Sequence, residues 1–320
     1  MEIAIIGDVM LGRLIDNEMK IKIPEYFWGD TLDKIKKANL SLINLECSLT
    51  KSNIVSKTLK TFYFKAEPSN AINVLKQANI KAVNIANNHI MDFGEEGLKD
   101  TIEILNEAGI KHCGAGINIA EAKKPILIEI NKLKIGIIGM TDNMPEWHAN
   151  EKPGIFFIDI NNDNAENLSN EIKRIKPNLD ILILSLHWGQ NMALRPKESF
   201  MDFAHKLIDA GADIIHGHSS HVFQGIEIYN NKPIFYSCGD FIDDYAVDPA
   251  LRNDFSFFSI IELQKKEIKE IKLFPTLIKD FRANLAQSLD YEEIADRIIT
   301  LSGELGTHIE KGNDFLLVKI

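Results

Sequence analysis

The sequence predicts an α/β protein whose sheet begins with parallel crossover units and ends in antiparallel strands. Up to about residue 222 of the 320, short runs rich in Ile, Leu and Val alternate with amphipathic segments at helical spacing. This alternation is typical of layered α/β folds with mostly parallel strands. After that point strand patterns follow one another directly, which indicates antiparallel hairpins.

The individual elements are predicted from these runs in chain order. Strands are predicted at residues 3–6, 40–45, 82–86, 135–140, 180–186, 214–215 and 234–236. Amphipathic helices are predicted between them at residues 69–77, 95–107, 165–175 and 197–209. Each strand prediction depends on a short continuous apolar run, and each helix prediction on apolar spacing of three and four residues.

The last part of the chain predicts hairpins and a final helix. Asn230 and Asn231 lie inside "GIEIYNNKPIFYS" where a two-residue hairpin turn is expected. The segment "FFSIIELQKKEIKEIKLFPTLI" predicts two more strands, and residues 291–303 predict a helix. Because the sequence has no repeat, low-complexity segment or long linker, we expect one domain over residues 1–279. Residues 280–320 are then an extension packed on the same domain.

The composition indicates a globular protein and argues against general binding of nucleic acid. Apolar residues make up 45% and charged residues 26% of the chain, which is ordinary for a globular protein. The 36 basic and 46 acidic residues give a formal charge of −10. A protein that binds nucleic acid or a membrane surface needs a basic face to neutralise phosphates. An anionic substrate remains compatible with this charge if a metal or local arginines supply a positive field.

Cysteine usage and the N-terminal segment predict a cytoplasmic protein without a membrane anchor. The three cysteines are Cys47, Cys113 and Cys238, and they form no CxxC motif. This sparse pattern favours a reducing compartment. The segment "MEIAIIGDVM" lacks the basic and long apolar regions of a signal peptide. No run approaches the roughly 18 apolar residues of a membrane span.

Polar side chains cluster where the apolar runs stop. They are Asp8, Asn44, Glu46, Asn87, Asn88, His89, His187, His216, His218, His221 and Asp240. Ligands of open α/β sheets bind at the carboxyl ends of the strands, so we expect these side chains to converge. Imidazole combined with carboxylate and amide oxygens, without thiolate, suits divalent Mn, Fe, Zn or Co. The pattern therefore predicts a centre for one or two metal ions.

Taken singly, these residues also have simpler interpretations. An aspartate after a strand is commonly a turn former or a helix cap, and His89 alone could be a hydrogen-bonded core histidine. The histidine cluster is more specific, because His216, His218 and His221 account for three of the nine histidines. Local imidazole clusters of this kind are typical of metal ligation.

In chain order, the motifs resemble those of the CapA family. They are "GDVMLGR", "NLECSLT", "NIANNHIMDFGEEGLKDTIEIL", "HCGAGINIAEA", "SLHWGQN", "GHSSHVFQGIE" and "IFYSCGDF", between residue 3 and about residue 245. CapA proteins are poly-γ-glutamate capsule biosynthesis proteins, and their domain resembles the calcineurin-like metallophosphoesterases. The resemblance implies a two-layer mixed β-sandwich flanked by helices, with a metal centre at the strand ends.

The resemblance also implies roles for individual residues. The metal ligands would be Asp8, Glu46, Asn88, His187, His218 and His221, with Glu46 in the place of the bridging carboxylate. His89 would match the neighbouring catalytic histidine, which protonates the leaving group. His216 has no firm counterpart, and we expect it to orient a ligand from outside the metal shell. Supporting or substrate-binding roles are also expected for Arg13, Asn44 and Asp240.

The first motif departs from the pattern of the metallophosphoesterases, which have Asp-x-His. Met10 occupies the histidine position, and a thioether is a poor ligand for borderline cations. If the Met10 sulfur replaces the imidazole, the site that uses Asp8 and His221 is the weaker one. The sequence then predicts one tight and one loose metal equivalent, or one only. Asp240 stands where the family often has asparagine.

The expected function is metal-dependent hydrolysis of a phosphoester or a γ-glutamyl-type amide, linked to poly-γ-glutamate metabolism. The expected substrate is an anionic small molecule or a polyglutamate-like chain. The alternative is a non-catalytic accessory protein of polyglutamate or capsule synthesis that keeps a relic metal site. A role in forming amide bonds is disfavoured because no segment predicts an ATP-binding loop. The sequence makes no prediction of oligomeric state.

Overall fold

Twenty strands and eight α-helices form the structure, a computed structural model that describes residues 1–320. The strands are β1 (Glu2–Val9), β2 (Leu40–Leu45), β3 (Ser48–Leu49), β4 (Lys65–Ala66), β5 (Ala82–Asn84), β6 (Lys111–Cys113), β7 (Ala115–Gly116), β8 (Ile126–Ile130), β9 (Leu133–Thr141), β10 (Gly154–Ile155), β11 (Ile181–His187), β12 (Ile214–His218), β13 (Ile226–Tyr229), β14 (Lys232–Phe235), β15 (Asp240–Ile242), β16 (Phe255–Gln264), β17 (Glu267–Lys279), β18 (Arg282–Leu285), β19 (Ile309–Lys311) and β20 (Leu316–Lys319). The helices are α1 (Arg13–Glu18), α2 (Leu32–Lys37), α3 (Pro68–Gln77), α4 (Gly94–Ala108), α5 (Ile119–Ala122), α6 (Asn162–Ile175), α7 (Glu198–Ala210) and α8 (Ser288–Glu304). Short 3₁₀ helices lie at Pro24–Thr31, Pro145–Trp147 and Lys176–Asn178.

Most of the strands belong to two mixed sheets. The larger sheet has the order β19-β20-β17-β16-β1-β2-β5-β6, with β15 beside β1 and β18 beside β17. The smaller sheet has the order β13-β14-β12-β11-β9-β8. Strands β1, β2, β5 and β6 are parallel, as are β9, β11, β12 and β14. Strand β15 also runs parallel to β1, whereas the other neighbours, including β16 and β17, run antiparallel.

The two sheets pack face to face over a shared apolar core. In β1 the side chains of Ile3 and Ile5 join a buried cluster that also contains Ile137 of β9 and Ile183 of β11. The intervening Ala4 and the following Ile6 belong to a different cluster, on the outer face of the larger sheet. Successive side chains of a strand point to opposite faces, so both faces of β1 are buried. This explains why its sequence is continuously apolar rather than alternating.

Helices cover the outer faces of both sheets. Helices α1 to α4 contribute apolar side chains such as Leu75 and Leu98 to the outer cluster of the larger sheet. Helices α6 and α7 cover the smaller sheet with residues such as Leu168 and Leu207. Helix α8 adds Ile298 and neighbouring residues to the core between the sheets. No helix of the structure combines the length and apolar character needed to cross a membrane.

The predicted α/β class and the two-layer mixed sandwich flanked by helices are confirmed. Strand β2 has the predicted bounds, and α4 and α8 extend the predicted helices by a few residues. Asn230 and Asn231 have φ values of 49° and 59°, as a two-residue hairpin turn requires. Residues 282–319 add β18 and β20 to β17 in the larger sheet. The domain boundary at residue 279 stays a prediction.

Candidate metal centre

The carboxyl ends of four strands, two from each sheet, meet at one edge of the sandwich. In the larger sheet Asp8 of β1 lies beside Asn44 of β2 on one side and Asp240 of β15 on the other. In the smaller sheet His187 of β11 lies directly beside His218 of β12. Parallel pairing brings these ends to one edge because equivalent ends of parallel strands coincide.

Glycines allow the backbone segments beneath this edge to approach closely. A Cβ atom on Gly7 would lie 1.9 Å from the carbonyl oxygen of Gly239, next to the pairing of β1 with β15. A Cβ atom on Gly139 of β9 would lie 2.1 Å from the Oδ1 atom of Asn84 of β5, in the opposite sheet. Only glycine fits such an approach. The close approach of these segments therefore depends on the absence of side chains at Gly7 and Gly139.

The first group of candidate ligands joins both sheets. Atoms of Asp8, His187 and His218 lie within 4.8 Å of one another, and all three side chains are buried. The Nδ1 atoms of His187 and His218 are 2.9 Å apart, and the Oδ1 atom of Asn88 is 2.9 Å from His187 Nε2. One carboxylate, two imidazoles and an adjacent amide oxygen form a donor set that suits a borderline divalent cation.

The second group is richer in oxygen. Atoms of Asp8, Glu46, His221 and Asp240 lie within 4.8 Å of one another. Buried oxygens Glu46 Oε1 and Asp240 Oδ2 have no hydrogen-bond partner, and leaving such groups unsatisfied costs free energy. A cation would satisfy both oxygens, so these residues fit a metal. Asp8 is the carboxylate common to both groups, whereas the resemblance assigns the bridging place to Glu46.

Buried polar groups fix the ligand atoms in place. Asn44 donates from Nδ2 to Asp8 Oδ1 at 2.7 Å, and the backbone N–H of Ser219 donates to Asp8 Oδ2 at 3.0 Å. The Ser185 hydroxyl lies 3.0 Å from His216 Nδ1 and 3.1 Å from His218 Nε2. His216 Nε2 in turn lies 2.8 Å from the Ile6 carbonyl oxygen. His216 thus contacts the side chain that orients His218 and is not itself in either group.

Burial and mutual repulsion shift the acidity of the oxygen-rich group. Burial, followed by the charge of Asp8, raises the pKa of Glu46 well above its ordinary value. Burial also raises the pKa of Asp240, although His221 opposes this effect. Burial disfavours the charged form of His221, but the charge and hydrogen bond of Asp240 outweigh it and raise the His221 pKa to about 10. Because these pKa values are raised, protons compete more strongly with a bound cation for these carboxylates.

His89 lies beside the centre and has its own supporting contacts. Its Nδ1 atom is 2.6 Å from Asp92 Oδ2, and its Nε2 atom is 3.9 Å from Glu46 Oε1. The ring stacks on Phe64 with centroids 3.8 Å apart. Lys60 Nζ lies 2.6 Å from Asp92 Oδ1 and 3.0 Å from His89 Nδ1. Asp92 therefore fixes one ring nitrogen, which leaves Nε2 on the side of the candidate ligands.

The protonation state of His89 differs from that of a ready proton donor. Burial lowers the pKa of His89 to about 4, against the opposing hydrogen bond and charge of Asp92. The ring is therefore neutral near pH 7. The Nδ1–H group donates a hydrogen bond to Asp92, so the unprotonated Nε2 atom is an acceptor. This arrangement favours proton acceptance at Nε2, whereas the family resemblance implies donation to a leaving group.

The structure brings all the sequence-predicted ligands to this one site. Met10 is different, because its buried Sδ atom accepts a hydrogen bond from the Gly12 N–H at 3.0 Å and takes no ligand's place. The sequence interpretation missed Asp92 and Lys60. The spacing of three residues between His89 and Asp92 could have indicated Asp92. Lys60 lies in residues 50–64, between β3 and β4, where the chain has no regular secondary structure that a sequence pattern could predict.

A cavity of about 360 Å³ opens beside the centre. It is lined by Arg13, Phe62, Phe64, Asn88, His89, Asn191, Met192, His221, Tyr245, Ala246 and Asn253. Two of the candidate ligands, Asn88 and His221, thus face the cavity together with His89. A substrate bound in the cavity would contact the candidate ligands directly.

Comparison with known protein families concerns the part of the chain that forms this site. The family described as "Bacterial capsule synthesis protein PGA_cap" matches residues 2–245, a range that includes every residue of both ligand groups. The chain belongs to this family. The CapA resemblance of the motifs is thereby confirmed.

Individual PGA_cap relatives extend the similarity. A probable polyglutamine synthesis accessory protein of Mycobacterium tuberculosis is 30% identical over 97% of this chain and 86% of its own length. The PGA biosynthesis protein CapA of Bacillus subtilis is 31% identical over 75% of this chain and 62% of its own length. The Bacillus anthracis capsule biosynthesis protein CapA is 29% identical over 75% of this chain and 59% of its own length.

A solved structure shares the fold of this PGA_cap protein. It is a hypothetical protein from Thermus thermophilus, with a TM-score of 0.51 and 15% sequence identity. The match covers 86% of this chain and 98% of that one. At this identity the likeness concerns the fold alone.

Proposed function

We propose that this PGA_cap protein is a metal-dependent hydrolase that acts on a phosphoester or a γ-glutamyl-type amide. The observation that carries the proposal is the pair of buried ligand groups that share Asp8. Two unsatisfied carboxylate oxygens, Glu46 Oε1 and Asp240 Oδ2, lie in the second group. A structural role alone does not account for these two carboxylate oxygens, which are buried without hydrogen-bond donors. Metal binding does account for them.

The proposed ligands are Asp8, Glu46, Asn88, His187, His218, His221 and Asp240, holding one or two ions of Mn, Fe, Zn or Co. A bound divalent cation would polarise the phosphoryl or amide oxygen of the substrate as a Lewis acid. Asn44 and Ser219 hold both oxygens of Asp8, and Ser185 holds His218. These contacts keep the ligand atoms in one arrangement before the substrate arrives.

We propose that His89 transfers a proton during the reaction. Asp92 accepts a hydrogen bond from Nδ1, so Nε2 is the nitrogen that exchanges a proton with the reacting group. The stacked Phe64 ring limits rotation of the imidazole. A positioned proton-transfer group of this kind contributes about 10²–10⁴-fold to turnover.

The names of the relatives support a link to polyglutamate metabolism. One is named for polyglutamine synthesis as an accessory protein, and another for PGA biosynthesis. The PGA biosynthesis name supports the proposal of an anionic, polyglutamate-like substrate. The accessory name also favours a second proposal, in which the protein binds such a polymer or a partner enzyme and does not turn a substrate over.

Turnover assays on metal-loaded protein separate the two proposals. The protein is reconstituted with Mn, Fe, Zn or Co and assayed with p-nitrophenyl phosphate and γ-glutamyl-p-nitroanilide. The hydrolase proposal expects turnover of one substrate that chelation abolishes. His308→Ala serves as the control for loss of a histidine, because His308 is exposed and outside the centre. Metal-loaded protein that turns over neither substrate would favour the accessory role.

A further inference from the structure

The turn after β1 presents one arginine in an uncommon backbone conformation. Arg13 has a φ of 55°, in the left-handed region that bulky residues rarely occupy. The preceding Gly12 approaches the chain closely, because a Cβ atom there would lie 2.9 Å from the Lys65 carbonyl oxygen. The Gly12 N–H donates to Met10 Sδ. Strained positions held by their surroundings cluster at functional sites.

Met10 therefore has a different role from the one that its place in the motif suggests. The histidine expected at this position would be a metal ligand. In this chain the Met10 side chain is buried and its sulfur holds the turn that carries Arg13. The same segment thus supplies Asp8 to the centre and Arg13 to the cavity.

The guanidinium group of Arg13 is held in place and has free donors. Its Nε atom lies 3.3 Å from Asp244 Oδ2, and the Asp244 side chain is buried. Its Cζ atom lies 4.8 Å from the Phe62 ring centroid and 5.6 Å from that of Phe64. The side chain is 31% exposed. These contacts orient the group from one side and leave both Nη atoms without a polar partner.

Arg13 lies where an anionic substrate would need a cation. It is the only lysine or arginine among the residues that line the cavity beside the centre. Phe64 contacts Arg13 and also stacks on His89, so one aromatic ring separates the guanidinium from the proposed proton-transfer group. A fixed positive charge in the cavity lining would attract an anionic group of a substrate bound there.

We propose that Arg13 binds an anionic oxygen group of the substrate, at a point separate from the bond that reacts at the metal centre. This inference rests on the proposed hydrolase function for the position of the reacting bond. A guanidinium with free Nη atoms matches the two oxygens of a carboxylate or phosphate. Two sources share this chemistry, namely the carboxylate of a γ-glutamyl peptide and a phosphate group.

Binding of defined probes to Arg13 variants tests the inference without a turnover assay. The probes are γ-glutamylglutamate and inorganic phosphate, titrated into the metal-loaded protein by isothermal titration calorimetry. We expect Arg13→Gln to weaken binding of at least one probe by about 10- to 100-fold, the usual value of charge-assisted hydrogen bonds. Arg13→Lys should recover only part of this loss, because an ammonium lacks the planar fork.

Matched controls separate a binding effect from a general loss of charge or fold. Arg195→Gln removes a surface arginine that pairs with Glu304, and it should leave both affinities unchanged. Metal content of Arg13→Gln should match the wild type, because Arg13 belongs to neither ligand group, and its thermal unfolding shows whether the fold survives loss of the contact with buried Asp244. Loss of affinity for the peptide alone identifies the carboxylate as the source, and loss for phosphate alone identifies the phosphate.

The outcome also distinguishes this inference from the proposed function. Arg13-dependent binding in a protein without turnover would refute hydrolysis and support the anion site. Turnover with unchanged probe affinities in Arg13→Gln would refute the anion site and support hydrolysis. The inference is also overturned if the wild type binds neither probe, or if Arg195→Gln weakens binding as much as Arg13→Gln does.

Discussion

Asp92 joins the irregular segment of residues 50–64 to the candidate centre, so replacing it should destabilise the protein. Its buried carboxylate contacts Lys60 Nζ at 2.6 Å and His89 Nδ1 at 2.6 Å, and accepts the Phe64 N–H at 2.7 Å. Burial lowers the pKa of Lys60 while Asp92 opposes that shift. The variant Asp92→Asn leaves the Lys60 ammonium largely buried without its counter-charge. Removing one partner of such a pair costs about 3–5 kcal/mol.

The expected change in melting temperature follows from the size of the chain. With about 2.1 cal/mol/K per residue, 320 residues give an unfolding entropy of roughly 0.7 kcal/mol/K. The loss then lowers the melting temperature by about 4–7 °C. Calorimetry in the presence of a chelator measures this value without a contribution from bound metal.

An exposed carboxylate provides the control for Asp92→Asn. Asp296 pairs with Lys311 but is 71% exposed, so Asp296→Asn should shift the melting temperature by less than about 1 °C. A shift for Asp92→Asn that is no larger than this would refute the reasoning. It would mean that Lys60 finds another partner or leaves the site.

Three further predictions concern the centre itself. His89→Ala should retain its metal but lose about 10²–10⁴-fold in turnover, whereas Asn88→Ala should lower metal occupancy. Loss of metal from His89→Ala would contradict the assigned role. Asp240→Asn should weaken the binding of one metal equivalent by about 10- to 100-fold, because Asp240 belongs to the second group and holds His221 Nδ1 at 3.0 Å. A metal titration in which both equivalents lose the same affinity would contradict the existence of two separate groups. Metal affinity should fall as the pH falls, because the raised pKa values of Glu46 and Asp240 mean that protons compete for these ligands. The affinity should fall by up to about tenfold per pH unit for each proton displaced. A dissociation constant that is the same at acidic and alkaline pH would contradict this prediction.

The strand ends of the candidate centre could be predicted from sequence because each follows a recognisable apolar run. Asp8 follows "IAIIG" and His187 follows "ILILSL", and parallel strands bring such ends to one edge. The split into two sheets could not be predicted from these runs alone. A buried strand reads as continuously apolar in either layer, and only the family resemblance implied the sandwich.

Other features depend on contacts that leave no local pattern. Lys60 reaches Asp92 from a segment without periodicity, so neither its direction nor its partner could be predicted. The motif alone predicts a lost ligand at Met10, and the contact of its sulfur with Gly12 is visible only in three dimensions. Strand β8 was also missed, because it is a short, half-exposed strand at the edge of its sheet.

Metal analysis of the wild type and Asp8→Asn tests the central claim most directly. Both proteins are reconstituted with Mn, Fe, Zn or Co, freed of loosely held ions, and analysed by mass spectrometry for bound metal. Because Asp8 belongs to both ligand groups, we expect one or two equivalents in the wild type and neither in Asp8→Asn, with similar melting temperatures in chelator. A wild type that holds no ion, or an Asp8→Asn variant that keeps the full metal content, would contradict the account.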